Sequence, residues 1–135
     1  MLRKTGVMKM TMMNGKSSKT FFEDLFTQQM VNQEMLINKG TYGPMNNVSL
    51  PSDNVNLMSY HVQQLISEIG EVLDADKRWK NFRNEKHDQK NKEEEIADCF
   101  IVLMNIAMYS GMSGYDLSAA IKEKLDKVSS RIGEI

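Results

Sequence analysis

Residues 92–110 read KEEEIADCFIVLMNIAMYS, and this stretch decides the fold class because an acidic segment runs directly into a long apolar one. Four acids occupy the first seven positions, and the next eleven residues contain one polar interruption, Asn105. We interpret the apolar run as a buried helix, which Asp98 enters as a lone carboxylate that is costly to bury. The sequence therefore predicts a partner that keeps Asp98 charged.

Two further helices are predicted before this stretch. The first begins at Thr20, which forms a capping box with Glu23, and continues through FFEDLFTQQMVNQEMLIN. The second begins near Ser52 or Asp53 and has an apolar stripe in steps of three and four residues. That stripe consists of Val55, Met58, Val62, Leu65, Ile66, Ile69, Val72 and Leu73.

The quoted stretch and the residues after it supply the third and fourth helices. The third begins at Asn91, with Glu94 at the capping-box spacing, and ends at Gly111. The fourth begins at Ser113 and Asp116, and its apolar stripe consists of Leu117, Ile121, Leu125, Val128 and Ile132. No segment alternates apolar and polar residues with a period of two, so we predict an all-α, four-helix bundle-like fold.

Glycine and proline indicate the limits of the domain. Both prolines of the chain lie in the Gly-, Asn- and Ser-rich stretch 38–54, which we predict to be the main loop. Residues 1–19 are rich in Met, Lys, Ser and Gly without a period, so we predict a flexible N-terminal arm. Residues 20–135 would form one domain, since 135 residues with 41% hydrophobic content suffice for one core.

Composition excludes several classes of partner. A formal net charge of −1 provides no overall attraction to nucleic acid or to an anionic membrane. No apolar segment approaches the roughly 20 residues needed to span a bilayer, and the N-terminus lacks the apolar region of a signal peptide. The single cysteine, Cys99, lies in the apolar run and suits a reducing compartment. We therefore expect a cytoplasmic domain that binds neither nucleic acid nor membrane.

Two pairs of carboxylates are the strongest candidates for a functional site. Glu68 and Glu71 of the second helix, and Glu95 and Asp98 of the third, are each three residues apart. Each pair therefore projects from one side of its helix. If the two helices pack together, four carboxylates converge and raise one another's pKa unless a cation offsets their charge.

The chemistry of these side chains favours a hard divalent cation. Carboxylate oxygens are typical ligands of Mg²⁺ and Mn²⁺. The chain lacks the Cys and His spacing expected for zinc and the E-x-x-H pairs of ferritin-like iron sites. We therefore predict that the four carboxylates bind Mg²⁺, or Mn²⁺ in its place. The alternative is that Glu68 or Glu71 is a solvated edge residue, while Glu93, Glu94 and Glu95 only complement the helix dipole.

Polar residues near the carboxylates are candidates for substrate contacts. Asn105 and Tyr109 follow the acids along one side of the third helix. Asn105 would hydrogen-bond a base or sugar or, equally, a neighbouring helix. The connector 77–92 is basic and contains Trp79, which would stack on a base; a solvated connector is the alternative.

A cationic stripe on the fourth helix is the other candidate for substrate binding. Lys124, Lys127 and Arg131 are three and four residues apart and adjoin the apolar stripe. Cations near a helix C-terminus are also favoured by the helix dipole alone. Together with the carboxylate pairs, the stripe would hold a triphosphate through metal on one side and basic groups on the other.

The order E-x-x-E, connector, E-x-x-D resembles the all-α nucleoside triphosphate pyrophosphohydrolases, a superfamily that includes the MazG-like proteins and the dimeric dUTPases. Here the motifs read Glu68-Ile-Gly-Glu71 and Glu95-Ile-Ala-Asp98, and the resemblance covers roughly residues 20–132. It implies Mg²⁺-dependent hydrolysis between the α- and β-phosphates of a nucleotide, which yields the monophosphate and pyrophosphate. The four carboxylates would be the metal-binding and catalytic residues.

The resemblance also implies contacts to the substrate. The K-x-x-x-N-x-x-R pattern of the superfamily aligns with Lys124, Val128 and Arg131, so Lys124 and Arg131 would contact phosphates, whereas Val128 replaces the usual Asn. Ser67 is a second departure, since MazG-like proteins usually have Glu there. A first-helix Gln often contacts the base in dimeric dUTPases, which makes Gln28 or Gln29 a candidate.

We expect a nucleoside triphosphate diphosphatase that acts on dUTP or a related deoxynucleotide. The third helix is apolar around nearly its whole circumference and needs partners on all sides, so we also expect a homodimer or homotetramer. The alternative from another class is a non-catalytic helical adaptor, whose acids are surface residues.

Overall fold

The computed structural model describes residues 20–45, 48–82 and 86–134. Within these ranges the chain forms four α-helices: α1 (Phe21–Asn38), α2 (Val55–Ala75), α3 (Gln89–Met108) and α4 (Gly114–Gly133). A short 3-10 helix, Lys77–Phe82, lies between α2 and α3, and no strand occurs among the described residues. The predicted all-α fold is confirmed. The predicted arm, residues 1–19, and residue 135 lie outside the described ranges.

Capping boxes define where α1 and α4 begin, and both helices begin where the sequence predicted. The Thr20 hydroxyl accepts a hydrogen bond from the Glu23 amide at 3.1 Å, and the Glu23 carboxylate accepts one from the Thr20 amide at 3.0 Å. Ser113 and Asp116 form the same reciprocal pair before α4, with both bonds at 3.0 Å. Each box satisfies backbone N–H groups that have no partner within the first turn of a helix.

The second helix begins slightly later than predicted. Asn54 caps α2, because its side chain accepts a hydrogen bond from the Leu57 amide at 3.1 Å. The predicted cap Asp53 instead forms an isolated antiparallel bridge with Ser110, just beyond α3. The end of the loop is therefore tied to the end of α3, which delays the start of α2.

The third helix begins earlier and ends earlier than predicted. Asp88 caps α3 by accepting a hydrogen bond from the Asn91 amide at 3.2 Å, so the predicted cap Asn91 lies inside the first turn. The helix ends at Met108. Gly111 follows with φ +83°, a left-handed conformation that suits glycine and turns the chain toward α4.

α2 and α3 form an antiparallel pair, which is the most extensive helix contact in the described chain. The Lys92 ammonium near the start of α3 donates to Asp76, just after α2, at 2.8 Å. In the first half of α2, His61 Nδ1 lies 3.5 Å from Nδ2 of Asn105, which is in the second half of α3. The Asp76–Lys92 ion pair and the His61–Asn105 contact thus fix how α2 and α3 are aligned. The first helix, α1, packs on α3 and on α4.

The apolar core lies where α1, the loop after it and the second half of α3 meet. Its buried members are Phe26, Ile37, Leu50, Met104, Ala107, Met108 and Tyr109. Gly114, at the start of α4, lies so close to Phe26 that an added Cβ would be 3.1 Å from the Phe26 Cβ. The core therefore anchors the start of α4 to α1.

A buried polar layer adjoins this core. Gln33 Oε1 accepts hydrogen bonds from the hydroxyls of Tyr42 and Tyr109, each at 2.8 Å. The His61 ring stacks on the Tyr109 ring, with centroids 5.2 Å apart. Within the described chain, His61 Nε2 is buried without a hydrogen-bond partner. Burial away from water lowers the pKa of His61 to about 4, so the ring is neutral near pH 7.

Much apolar surface stays exposed in the single chain. On α3, Phe100 is 57% exposed and Leu103 42%. α1 and α2 cover only part of the circumference of α3, so the described part of one chain does not supply all the partners that this helix was expected to need. The expected homodimer or homotetramer stays a prediction. None of the helices in the described ranges combines the length and apolarity needed to cross a membrane.

We predict that Phe26→Ala lowers the free energy of unfolding by about 3–5 kcal/mol, because it removes a fully buried ring and leaves a cavity. Phe21→Ala is the matched control in the same helix, where the ring is 78% exposed, and should cost less than about 0.5 kcal/mol. Urea unfolding followed by circular dichroism measures both changes. Similar losses in the two variants would contradict the position of the core.

We predict that acid destabilises the fold through His61. Its pKa is lower in the folded chain than in the unfolded chain, so the unfolded chain binds the proton first and stability falls from about pH 6.5 to pH 4. Between pH 7 and pH 5, wild type should lose about 1–2 kcal/mol more than His61→Phe. His87→Phe is the control. An NMR titration midpoint near 6.5 for the His61 ring would refute the explanation.

Candidate active site

α2 and α3 bring three of the four predicted carboxylates together. Glu68 and Glu71 of α2 and Glu95 of α3 each offer an oxygen within 4.8 Å of the others. The two α2 residues share one side of the helix because they are one turn apart, and the antiparallel packing places Glu95 opposite them. Glu68 and Glu95 are half-buried and Glu71 is exposed. We call these three residues the carboxylate cluster.

Two carboxylates of the cluster, Glu68 and Glu95, have a raised pKa. Partial burial, followed by the charges of Glu71 and Asp98, raises the pKa of Glu68. Partial burial, followed by the same two charges and that of Glu68, raises the pKa of Glu95. Among the described residues, no basic side chain forms a salt bridge with the cluster. Its negative charge is therefore not offset by the described part of the chain.

Asp98 lies at the edge of the cluster and not in a core. Its side chain is exposed, which contradicts the expectation that it enters a buried environment. α1 and α2 leave this part of α3 open, so water solvates the Asp98 carboxylate in the single chain. Its charge still acts on Glu68 and Glu95, so it belongs to the same electrostatic site.

The chemistry of the cluster fits a hard divalent cation. All of its ligand atoms are carboxylate oxygens, the type that Mg²⁺ and Mn²⁺ prefer. The three oxygens lie within 4.8 Å of one another, close enough for side-chain rotation to bring them onto one ion. Glu68, Glu71 and Glu95 would hold the ion, with Asp98 beside them.

An ion-pair network fixes the connector beside the cluster. The Asp76 carboxylate accepts two hydrogen bonds from the Arg78 guanidinium, at 2.9 and 2.7 Å, and one from the Lys92 ammonium at 2.8 Å. These donors hold the pKa of Asp76 well below its usual range. Lys92 lies one turn before Glu95 on α3, so the network and the cluster are neighbours along this helix. The network was not predicted from the sequence. The feature that could have indicated it is a single acid, Asp76, directly before a basic segment.

Trp79 lies in a cavity of about 560 Å³ next to this network. The indole Nε1 donates a hydrogen bond to the Leu73 carbonyl oxygen at 3.1 Å, while 57% of the residue stays exposed. The cavity is lined by Val72, Leu73, Asp76, Arg78, Trp79 and Lys92. An oriented aromatic face beside two cations can receive an anionic aromatic ligand. The stacking role of Trp79 stays a prediction.

Asn105 and Tyr109 face the interior. Asn105 is 5% exposed, and its Oδ1 accepts a hydrogen bond from Gln29 Nε2 at 2.9 Å. A contact with a neighbouring helix was one of the two interpretations of Asn105, and this bond to α1 agrees with it. A contact between Asn105 and a base stays a prediction. Gln28 and Gln29 line a groove of about 450 Å³ between α1 and α3.

In the described chain, no cation of the α4 stripe forms a salt bridge with the carboxylate cluster. Lys124, Lys127 and Arg131 line a shallow depression of about 340 Å³ together with Ser130. α4 packs mainly on α1. The phosphate contacts of Lys124 and Arg131 stay predictions.

The family model described as the MazG nucleotide pyrophosphohydrolase domain matches residues 58–134, more than half of the chain. The chain belongs to this family. The MazG segment includes both carboxylate pairs and the cationic stripe, and it begins after α1 with its Gln28 and Gln29. The resemblance drawn from the two motifs is thereby confirmed. No curated protein and no solved structure matches the chain.

We predict that Mg²⁺ stabilises the MazG domain through the carboxylate cluster. At ten times its dissociation constant, an ion that binds only the folded state adds about 1.4 kcal/mol to the free energy of unfolding. Glu71→Gln should remove most of this gain and, without metal, should be at least as stable as wild type because repulsion is relieved. Glu93→Gln, an exposed acid outside the cluster, should keep the gain.

Thermal unfolding with and without millimolar Mg²⁺ measures these differences. A wild-type Tm that does not change with Mg²⁺ or Mn²⁺ would contradict the metal site. Equal Mg²⁺ gains in wild type and Glu71→Gln would place the ion elsewhere in the chain.

Proposed function

We propose that this chain is a metal-dependent nucleoside triphosphate diphosphatase, which hydrolyses the bond between the α- and β-phosphates of a nucleotide to give the monophosphate and pyrophosphate. The observation that carries the proposal is the convergence of Glu68, Glu71 and Glu95 within 4.8 Å, inside the segment that matches the MazG family. The resemblance to dimeric dUTPases makes dUTP, or a related deoxynucleotide, the proposed substrate.

The carboxylates would bind the cation and accept a proton. Glu68, Glu71, Glu95 and Asp98 would hold Mg²⁺ or Mn²⁺, which when bound supplies Lewis-acid activation and offsets negative charge on the phosphates. Glu68 or Glu71 would accept the proton of the attacking water.

The cavity beside the cluster would receive the rest of the nucleotide. The exposed face of Trp79 would stack on the base, and Arg78 and Lys92 would lie near the phosphates. Asp76 supplies one negative charge for these two cations, so the network keeps a net positive charge that attracts phosphate.

The remaining predicted contacts come from other elements. Lys124 and Arg131 of α4 would contact the phosphates, and Gln29 and Asn105 the base or sugar. Because Gln29 and Asn105 bond to each other, a base would have to share or replace that bond. We further propose a cytoplasmic enzyme that works as a homodimer or homotetramer.

We predict that the purified chain releases pyrophosphate from at least one of dUTP, dCTP, dTTP, dATP and dGTP when Mg²⁺ is present. Glu71→Gln and Asp98→Asn should each lower kcat at least about 100-fold, because each removes charge from the metal site. Glu94→Gln is the control next to the cluster and should keep most of the activity. Absence of pyrophosphate release and of metal stabilisation together would favour the adaptor alternative.

The position of bond cleavage is tested separately. In water enriched in oxygen-18, attack on the α-phosphorus places the label in the nucleoside monophosphate, which mass spectrometry detects. Label found in pyrophosphate, or release of orthophosphate in its place, would refute the proposed reaction.

A further inference from the structure

Four polar side chains form a continuous line from the interior of the chain to its surface. His61 Nδ1 of α2 lies 3.5 Å from Asn105 Nδ2 of α3, and Asn105 Oδ1 accepts a hydrogen bond from Gln29 Nε2 of α1 at 2.9 Å. Gln29 Oε1 in turn accepts a hydrogen bond from Asn32 Nδ2 at 3.2 Å. The line begins at the buried His61 and Asn105 and ends at the exposed Asn32. We call these four residues the amide relay.

The contacts of the amide relay all point in one direction. Asn105 and Gln29 each turn the NH2 group toward His61 and the carbonyl oxygen toward the surface. The Asn105 NH2 group can only donate, so the His61 Nδ1 atom that faces it carries a lone pair and the ring proton is on Nε2. The ring is neutral near pH 7, because burial lowers the pKa of His61 to about 4. The direction of the relay is thus tied to one tautomer of a neutral histidine.

No hydrogen bond among the described residues holds the relay in this direction. At its inner end, His61 Nε2 is buried without a partner. If the ring proton moves from Nε2 to Nδ1 and the Asn105 and Gln29 amides turn over, the same contacts form with donor and acceptor exchanged, and no proton is gained or lost. At the outer end, water can pair with either side of the exposed Asn32 amide. Both directions make equal numbers of hydrogen bonds, so they are close in free energy.

The relay ends in a groove that can receive a planar base. Gln29 and Asn32 line the groove of about 450 Å³ between α1 and α3, whose remaining surface is mainly apolar. A mainly apolar pocket with a few polar groups is typical of sites for small organic ligands. Ala97 and Ile101 of this groove precede and follow Asp98 by one and three positions. The groove is therefore a neighbour of the carboxylate site along α3.

We propose that the amide relay reverses as a unit to match the edge of the base in this groove, so that uracil and cytosine nucleotides bind with similar affinity. The inference rests on the proposed function, since a nucleotide must occupy the site. Uracil offers the acceptor O4 beside the donor N3–H, whereas cytosine offers the donor N4–H2 beside the acceptor N3. A fixed amide complements one of these edges and opposes the other. A reversible relay complements both, and the tautomer of His61 follows the base.

Isothermal titration calorimetry in Mg²⁺ tests the relay with analogues of dUTP and dCTP in which nitrogen replaces the oxygen between the α- and β-phosphates. For wild type, the two dissociation constants should agree within about threefold. Asn105→Asp should separate them at least about tenfold, because a carboxylate only accepts and holds Gln29 with its carbonyl oxygen outward. Charge added by this variant acts on both triphosphates alike, so it does not alter the ratio.

Gln33→Glu is the matched control. It makes the same exchange of amide for carboxylate in the buried polar layer, one turn from Gln29 on α1, but lies outside the relay. Its carboxylate still accepts the hydroxyls of Tyr42 and Tyr109, so the two dissociation constants should stay within about threefold.

A larger preference of wild type for one analogue would overturn the proposal, as would binding of neither. An unchanged ratio in Asn105→Asp, or equal separation by Gln33→Glu, would also overturn it. Pyrophosphate release is measured separately. A chain that releases pyrophosphate but prefers one analogue refutes only the relay, whereas a chain that binds both alike but releases none refutes only the diphosphatase proposal.

NMR of wild type provides a second test, which stands even if Asn105→Asp fails to fold. The nitrogen-15 chemical shift of an imidazole nitrogen shows whether it carries the proton. Without nucleotide, His61 should populate both tautomers, and the dUTP and dCTP analogues should move its shifts in opposite directions. A histidine with a merely structural role would keep one tautomer throughout, and that result would overturn the proposal.

Discussion

Repulsion among carboxylates is the constraint on which the site depends. Glu68, Glu71 and Glu95 are held within 4.8 Å of one another although no described cation pairs with them. The helices could relieve this repulsion by moving apart, but they are joined on both sides of the cluster. Asp76 and Lys92 form an ion pair on one side, and the buried His61 and Asn105 lie together on the other. The fold therefore stores unfavourable charge, which a bound cation would offset.

The buried polar layer gives α1 a part in this arrangement. Gln29 bonds to Asn105 of α3, and Gln33 bonds to Tyr109 at the end of the same helix. A buried polar group is costly unless it finds a partner, so these bonds fix the position of α1 more narrowly than apolar contact alone. Although α1 precedes the segment that matches the MazG family, it thus helps to align the helix that carries Glu95.

Local features of the fold were predictable from sequence, and features that depend on packing were not. The capping box at Thr20 and the start of α4 at Ser113 were predicted because they depend on residues close in sequence, although the capping box predicted at Asn91 is replaced by a cap at Asp88. The pairing of Glu68 with Glu71 followed from helix geometry in the same way. Burial of Asp98 was predicted wrongly, because an apolar sequence does not reveal which of its sides the same chain covers.

The place of His61 in the buried polar layer was missed for a related reason. His61 lies three residues after Met58 and four before Leu65, a position that matches the inner side of α2. That spacing could have predicted from the sequence that His61 is buried. It did not show that Tyr109 and Asn105, more than forty positions later, would surround the ring. The role of such a residue follows from contacts distant in sequence, which periodicity alone does not provide.

The arrangement of opposite charges at the site also bears on how a substrate would bind. The carboxylate cluster repels a free triphosphate, whereas the adjacent network of Arg78, Lys92 and Asp76 has a net positive charge and repels a free divalent cation. A nucleotide that carries its own cation would satisfy both regions at once, with its metal toward the carboxylates and its phosphates toward the basic groups. Metal and nucleotide would therefore strengthen each other's binding, and Lys92, one turn from Glu95, lies where the two regions meet.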